Sequence, residues 1–453
     1  MATSLIKKLN LFVMPIYIAS FLFNSFYPVD KTNYLMGGFA LYIIITGLSY
    51  MNSFNKYVSI VLICLGILFL GLNSASLIDF CAALLHNSGV ISLLLTIPML
   101  GIVFHYDDYE KYVVNLTIKY MNTELKFYTL TSLITSFFGV FLNLGSIPFV
   151  YQLFIKHSKS FSQDLFYKAI NRGFFSNMLW APSCIAVAVI IQYFDLSWKE
   201  IVPMGLMLAF LAHVLALIIE RIMSKTKEKK VAINVLANSP SKRDSLKLLA
   251  LVFILIAFVV LFDLVTGKSF LVIMSLVSLT VPIVLAVIYQ KVNILKERTK
   301  DYLFSLNDKN NEFILFSSIG FFGYALRFTN IGEYITLVLT SLGFHSPVTL
   351  IPLFILVVLG LSIIGVHPII TISTIALTIP IHELAMSLEQ LAFSLLIGYS
   401  LYQLVSPFST AVLILTSLTH ENPLNITIKI NKVFVISYIA LSTLLLIFRY
   451  GVG

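Results

Sequence analysis

Long apolar stretches recur along this chain of 453 residues, and they restrict its fold more than any other feature of the sequence. A helix needs about 20 mostly apolar residues to cross the hydrocarbon core of a bilayer. Eleven stretches that satisfy this requirement lie near residues 10–28, 34–50, 57–74, 88–105, 170–195, 203–223, 247–265, 269–290, 312–328, 391–419 and 431–449. Charged residues make up only 11% of the chain, whereas soluble domains contain about 25%. The sequence therefore predicts an all-α polytopic membrane protein with about 11 transmembrane helices.

Two further apolar stretches, at 127–155 and 349–380, are too long for one span, and each is interrupted near its middle. The interruptions share the pattern Gly-x-x-Pro and read Gly145-Ser146-Ile147-Pro148 and Gly365-Val366-His367-Pro368. A helix interior favours neither glycine nor proline. Backbone that breaks at membrane depth is tolerated only where protein or a watery cavity receives its unpaired groups. We therefore expect two re-entrant helical hairpins whose tips lie inside the protein.

The distribution of positive charge predicts the orientation, because cytoplasmic loops of membrane proteins collect Lys and Arg. With eleven spans and two hairpins, the amino terminus is cytoplasmic, and few of the 30 Lys and Arg residues fall on the outer side. Those few are Lys31, Lys199, Lys268, Arg327 and Arg449. The net charge of +9 is thus an orientation signal of a multi-pass protein in the cell membrane. It gives no reason to expect nucleic-acid binding, since the basic residues are dispersed over loops without interleaved aromatic residues.

An internal repeat is visible around two prolines that interrupt spans. Gly173 aligns with Gly398, Leu179 with Leu404 and Pro182 with Pro407, and the two Gly-x-x-Pro tips follow nearly the same offset. Because five spans precede the equivalent point of the second copy, the copies cross the bilayer in opposite directions. The sequence therefore predicts two inverted five-helix repeats.

This alignment divides the chain into segments. An extra first helix occupies 1–30, the first repeat 31–223, a basic cytoplasmic linker 224–246 and the second repeat 247–453. Each repeat contains a hairpin, at about 127–155 or 349–380, followed by a broken helix, at about 170–195 or 391–419.

The breaks predict where a ligand binds. In transporters, the amino termini of half-helices face anionic groups and unwound carbonyls coordinate cations. The first-half candidates for binding substrate or ion are Asn143, Gly145, Ser146, Pro148, Ser176, Asn177, Pro182 and Ser183. The second-half candidates are Gly365, His367, Pro368, Thr371, Gln403, Ser406, Pro407, Ser409 and Thr410. A coupling Na⁺ would bind at Asn143, Ser146, Ser406, Ser409 and Thr410, and no other cofactor is expected.

His367 is the ionisable residue that this topology puts at a hairpin tip. Such residues in membranes are functional candidates by default, although a structural histidine explains the pattern equally well. Arg172 and Arg327 lie at span ends, where reaching toward the interface is the ordinary explanation and attraction of substrate is the alternative. The acidic residues near span ends, including Glu220, receive no assignment.

The whole arrangement resembles the divalent-anion/sodium symporter family within the ion transporter superfamily. The resemblance lies in the extra first helix, the inverted repeats, and the hairpin and broken helix of each repeat. That family carries Ser-Asn-Thr signatures at tips and breaks, and Ser176-Asn177 is similar to part of one. The resemblance implies a homodimer with a fixed scaffold and a moving transport domain that carries the hairpins and broken helices.

The expected function is a secondary carrier for a small anion, of carboxylate type, coupled to Na⁺ or H⁺ and working by alternating access. An alternative is a flippase for a lipid-linked phosphate or an exporter of a peptide-like substrate. An intramembrane acyltransferase with His367 as base is a further alternative. The chain contains no H-E-x-x-H, no G-x-S-x-G and no paired acidic residues in a span, so an enzyme is not expected.

Overall fold

The computed structural model describes residues 2–223 and 242–451. The described residues are helical and include nine helices long and apolar enough to cross a membrane, or up to ten if one bent pair is counted as a single span. This confirms the predicted all-α polytopic membrane fold. Most of the predicted basic linker at 224–246 lies outside the described residues. The chain divides into two compact units, which the following paragraphs take one at a time.

The first unit comprises Met1–Tyr106, Ala257–Val338 and Ser373–Pro380. Its helices in chain order are α1 Ala2–Phe26, α2 Asp30–Gly47, α3 Ser53–Leu72, α4 Leu77–Leu85, α5 Ser88–Thr96, the carboxyl-terminal part of α12 Lys242–Thr266 from residue 257, α13 Phe270–Ile288, α14 Val292–Ser305, α15 Asn310–Leu326 and α16 Ile331–Ser341 up to residue 338. Leu70, Ala83, Phe321 and Ala325 form a buried cluster where α3, α4 and α15 meet. After α15 the chain bends by 81° into the short helix α16, and the two together form the bent pair counted above.

The second unit comprises Asp107–Ile256, Leu339–Ile372 and Ile381–Gly453. Its remaining helices in chain order are α6 Tyr109–Thr117, α7 Glu124–Leu142, α8 Ser146–Ser158, α9 Gln163–Asn177, α10 Ile185–Phe194, α11 Trp198–Met223, α17 Pro347–Ile363, α18 Pro368–Thr378 up to residue 372, α19 Leu388–Val405, α20 Thr410–Thr419 and α21 Ile430–Tyr450. Every residue predicted from the sequence to bind substrate or ion lies in this unit.

The first hairpin is formed by α7 and α8. The rings of Phe138 and Phe149 lie 4.6 Å apart, and those of Phe127 and Phe161 stack at 4.5 Å. In one straight helix the second pair would be about 50 Å apart, so the chain reverses between the two arms. The reversal occurs at Asn143, whose φ is +48°.

The second interruption separates α17 from α18. Gly365 adopts a φ of +99°, a conformation that glycine adopts without steric cost. Pro368 begins α18, where its missing N–H costs no helical hydrogen bond. The chain therefore breaks at the predicted place.

Two helices of the second unit are broken as expected, between α9 and α10 at residues 178–184 and between α19 and α20 at residues 406–409. The first broken element starts earlier than predicted, at Gln163. The broken helices pack crosswise, α10 against α19 and α20 against α9.

The two glycines that the sequence aligns make corresponding close approaches. A Cβ on Gly173 would lie 2.3 Å from the Ser132 carbonyl oxygen, and one on Gly398 would lie 2.8 Å from Val358 Cβ and 3.3 Å from the Ile355 carbonyl oxygen. Each glycine thus lets the first hairpin arm of its own half contact the broken helix. These contacts support the repeat, whose boundaries remain a prediction.

Candidate functional site

The first hairpin tip is hydrogen-bonded to the first helix break. The Asn143 side-chain amide donates to the Ser183 carbonyl oxygen at 3.2 Å, and the Ser183 hydroxyl donates to the Val140 carbonyl oxygen. The Ser146 hydroxyl donates to the Asn143 carbonyl oxygen at 2.8 Å. The structure therefore brings Ser183 to Asn143 and Ser146, which lie about 40 residues earlier in the sequence.

The sequence attributes this tip to Gly145 and Pro148, but the backbone assigns the turn to another residue. Gly145 has an ordinary helical φ of −62°, and Pro148 lies in the first turn of α8. Asn143 takes the positive φ instead, and the hydrogen bond from its side chain to the Ser183 carbonyl oxygen holds the turn in place. The prediction that Gly145 breaks the helix is therefore wrong, although the break is correctly placed.

The second hairpin is joined to the second break by the corresponding contact. The Ser406 hydroxyl donates to the Ser362 carbonyl oxygen at 2.7 Å. Ser409 accepts the Val412 N–H at 3.3 Å and so caps α20, and its hydroxyl donates to the Gln403 carbonyl oxygen at 3.4 Å. In both halves, a serine beside the break proline holds the last turn of the preceding hairpin arm.

Buried polar atoms remain around both breaks. Asn177 is 1% exposed and Gln403 is 4% exposed, and the side-chain oxygen of each accepts no hydrogen bond from the described part of the chain. The hydroxyl of Thr371, also buried, is in the same situation. Buried polar groups in folded proteins are nearly always satisfied, so these groups are suited to receive a ligand. Thr410 differs from them because it is exposed.

His367 lies at the tip between α17 and α18 and is half-buried. Its Nδ1 accepts the Ile369 N–H at 3.4 Å, and its ring lies 6.3 Å from that of Tyr399 and 6.1 Å from that of Tyr402. Both tyrosines belong to α19, the first part of the second broken helix. The imidazole therefore stands beside the second break, as the sequence predicts.

A buried ion cluster contradicts the expectation that Arg172 reaches toward the interface. Its guanidinium is 3% exposed and lies 2.9 Å from the Glu220 carboxylate, which also pairs with Lys168 at 3.1 Å. Arg172 further donates to the Asn431 side chain at 3.0 Å and lies over the Phe434 ring. Contacts with α11 and α21 thus hold it inside the unit.

His213, in the middle of α11, is not among the residues predicted from the sequence. Its Nε2 lies 3.0 Å from the Ser176 hydroxyl, and its Nδ1 lies 3.4 Å from the Ser132 hydroxyl. The Ser176 hydroxyl also lies 3.1 Å from the Ser136 hydroxyl. The signal was present in the sequence, since an ionisable residue within a span is a functional candidate.

Comparison with known proteins shows a likeness of fold. No family model matches the chain, and no curated protein matches it in sequence. The chain is similar to the solved structure of MtrF from Neisseria gonorrhoeae, which represents a class of antimetabolite efflux pumps. The TM-score is 0.51 at 16% sequence identity, and the likeness covers 85% of each chain. The polytopic fold described above is therefore one that a membrane transporter also adopts.

Proposed function

We propose that the chain is a secondary active transporter that moves a small anion, of carboxylate type, by alternating access coupled to Na⁺ or H⁺. The observation that supports this most strongly is the pair of broken helices joined to hairpin ends by Ser183 and Ser406. Beside these joints lie the buried, unsatisfied side-chain oxygens of Asn177 and Gln403. Such groups are suited to a ligand that is alternately bound and released.

The ends of the half-helices suggest how substrate and cation share this site. The amino termini of α10 and α20 present N–H groups with no helical partner, and the carboxyl termini of α9 and α19 present such carbonyls. These ends carry partial charges of opposite sign. An anion therefore binds toward α10 and α20, and the coupling cation toward α9 and α19.

Transport by purified protein tests the proposal. The protein is reconstituted in liposomes of phosphatidylethanolamine and phosphatidylglycerol, and counterflow of labelled succinate, citrate, benzoate, glutamate and phosphate is measured. Gradients of Na⁺ and of pH are applied in both directions, because the structural neighbour belongs to a class of efflux pumps. Counterflow of at least one anion is expected, and Gln403→Leu should reduce it by removing a buried polar contact.

The contrary outcomes separate the alternatives. Movement of a lipid-linked phosphate across the bilayer without counterflow of any soluble anion would support the flippase. Chemical conversion of a probe would support an enzyme. Cross-linking of the reconstituted protein tests the homodimer, which remains a prediction.

A further inference from the structure

A stripe of buried polar side chains runs along α7 in the second unit. Its members recur at helical spacing, so they share one face of the helix. They are Tyr128, Thr131, Ser132, Thr135 and Ser136, and all are buried. Tyr128 lies beside Arg172 and Glu220, so the stripe begins at the buried ion cluster and leads along α7 toward the hairpin tip.

His213 connects this stripe to the first broken helix. Its two ring nitrogens lie next to the hydroxyls of Ser132 on α7 and Ser176 on α9. Ser176 is the penultimate residue of α9, and its hydroxyl also donates to the Gly173 carbonyl oxygen at 2.8 Å in the last turn. The imidazole is thus held at the carboxyl end of a half-helix, where the helix dipole favours added positive charge.

The second half shows that packing does not require these hydroxyls. The contacts of Gly173 and Gly398 place Ser132 in correspondence with Ile355 and Thr135 with Val358. By the same alignment, Ser136 corresponds to Leu359 and Ser176 to Leu401. The interface between hairpin arm and broken helix is therefore built with aliphatic side chains in one half and hydroxyls in the other. The hydroxyls beside His213 are thus a property of the first half and not of the repeat.

The chemistry of the cluster favours a proton over Na⁺. Na⁺ is a hard cation that prefers oxygen ligands, whereas a neutral imidazole readily takes a proton. The charges nearest along α9 and α11 are those of Lys168, Arg172 and Glu220, which sum to one positive charge. The titratable groups on helices packed against α11 at this level are Tyr128 of α7, Lys168 and Arg172 of α9, Tyr193 of α10 and Tyr438 of α21, with Glu220 on α11 itself.

We propose that His213, held between Ser132 and Ser176, is the site where the coupling proton binds. The inference rests on the proposed function and specifies its coupling ion. A proton accepted at one ring nitrogen converts the neutral imidazole to imidazolium, and its release from either nitrogen restores the neutral ring. The bound proton adds positive charge to a buried region that is already positive, and an anion at the neighbouring break offsets that charge. Proton and anion therefore bind cooperatively and are carried together.

The first test observes the proton directly and needs no substrate. Full-length protein with isotope-labelled histidine is placed in phosphatidylglycerol nanodiscs, and its histidine resonances are followed by NMR between about pH 4 and 8. One resonance that disappears in His213→Gln should titrate. Ser176→Ala should shift that titration, whereas Ser400→Ala should not, because the equally buried Ser400 hydroxyl donates only to its own helix at Leu396. A resonance of His213 that stays constant over this range would overturn the proposal.

The second test separates coupling from transport. Accumulation driven by a pH difference and counterflow are measured side by side with the anions named above. One pH unit can drive about tenfold accumulation for each proton carried along. In His213→Gln the ratio of gradient-driven accumulation to counterflow should fall by about that factor, while Ser400→Ala keeps the ratio of the unmodified protein. An unchanged ratio in His213→Gln refutes the proton site. A lack of counterflow in the unmodified protein refutes the proposed transporter instead, and the NMR titration then decides whether His213 binds a proton.

Discussion

At the scale of single residues, Gly173 shows how closely the first broken helix approaches the hairpin. A methyl group there would meet the Ser132 carbonyl oxygen at 2.3 Å, so α7 and α9 would have to separate. We expect Gly173→Ala to lower the free energy of unfolding by about 1–3 kcal/mol, as overpacking commonly does. The matched control is Gly360→Ala on α17, where a Cβ meets nothing within 4 Å. Thermal melting in detergent measures both variants, and equal melting temperatures would contradict the packing described.

The buried ion cluster predicts an order of stability among charge variants. Glu220→Gln leaves Lys168 and Arg172 without their counter-ion and should cost about 3–5 kcal/mol. Arg172→Met instead leaves Lys168 paired with Glu220, so that the two charges cancel. It should lower the free energy of unfolding clearly less, even though it removes the hydrogen bond to Asn431. Lys432 is exposed, so the control variant Lys432→Met should leave the free energy of unfolding nearly unchanged. The reverse order for the first two variants would mean that hydrogen bonding outweighs charge balance here.

His367 and His213 should respond differently to the same substitution. His367 stands at a hairpin tip beside the second break, so His367→Gln should weaken substrate binding by about 2–10-fold through a lost polar contact. The pH dependence of transport should persist, because the proposed proton site is His213. KM and the pH profile measured together decide this. A flattened pH profile of transport in His367→Gln would mean that the coupling proton binds at the hairpin tip and not at His213.

Sequence reasoning located the backbone of this site better than its side chains. The prolines and glycines predicted the positions of both breaks because these residues disfavour a helical backbone. The partner of Arg172 could not be read from the sequence, since Glu220 lies on a different helix and only tertiary packing brings the two charges together. His213 was not predicted because its span shows neither a break nor a repeat motif around the single imidazole.

At the scale of helices, the two breaks differ in length, and this predicts unequal effects of their prolines. The break at 406–409 is short, and the Gln403 carbonyl oxygen four residues before Pro407 accepts only the long Ser409 hydrogen bond of 3.4 Å. In Pro407→Ala the restored N–H can compete for that oxygen and extend α19. The break at 178–184 is longer and is held in addition by the Asn143 amide, which donates to the Ser183 carbonyl oxygen, so Pro182→Ala should close less. Counterflow should therefore fall more in Pro407→Ala, at unchanged expression. A larger loss in Pro182→Ala would contradict this account.

Helices too short to span were the elements that the sequence did not predict. The rule of about 20 apolar residues finds membrane spans, and α4, α6 and α16 have nine, nine and eleven residues. The hairpins, by contrast, were predicted because their stretches exceeded one span and contained breakers. The spans and hairpins were thus predicted from their length and from the residues that break helices. The short helices were not predicted, because tertiary contacts stabilise them.

At the scale of the whole molecule, the inverted repeat predicts that the bases of the two hairpins are labelled from opposite sides of the membrane. Stacking of Phe127 on Phe161 puts both ends of the first hairpin on one side, and its flanking lysines predict that this side is cytoplasmic. In a chain with its three cysteines replaced, a single cysteine at the exposed Lys126 or Lys159 should react only from the cytoplasm, and one at the exposed Glu383 only from outside. Impermeant maleimide applied to inside-out and right-side-out vesicles measures this. If the cysteines at Lys126 and Lys159 were labelled from opposite sides, the first hairpin would be wrong. If all three cysteines were labelled from the same side, the inversion would be wrong. If each were labelled from the side opposite to the one predicted, only the orientation of the protein would be wrong.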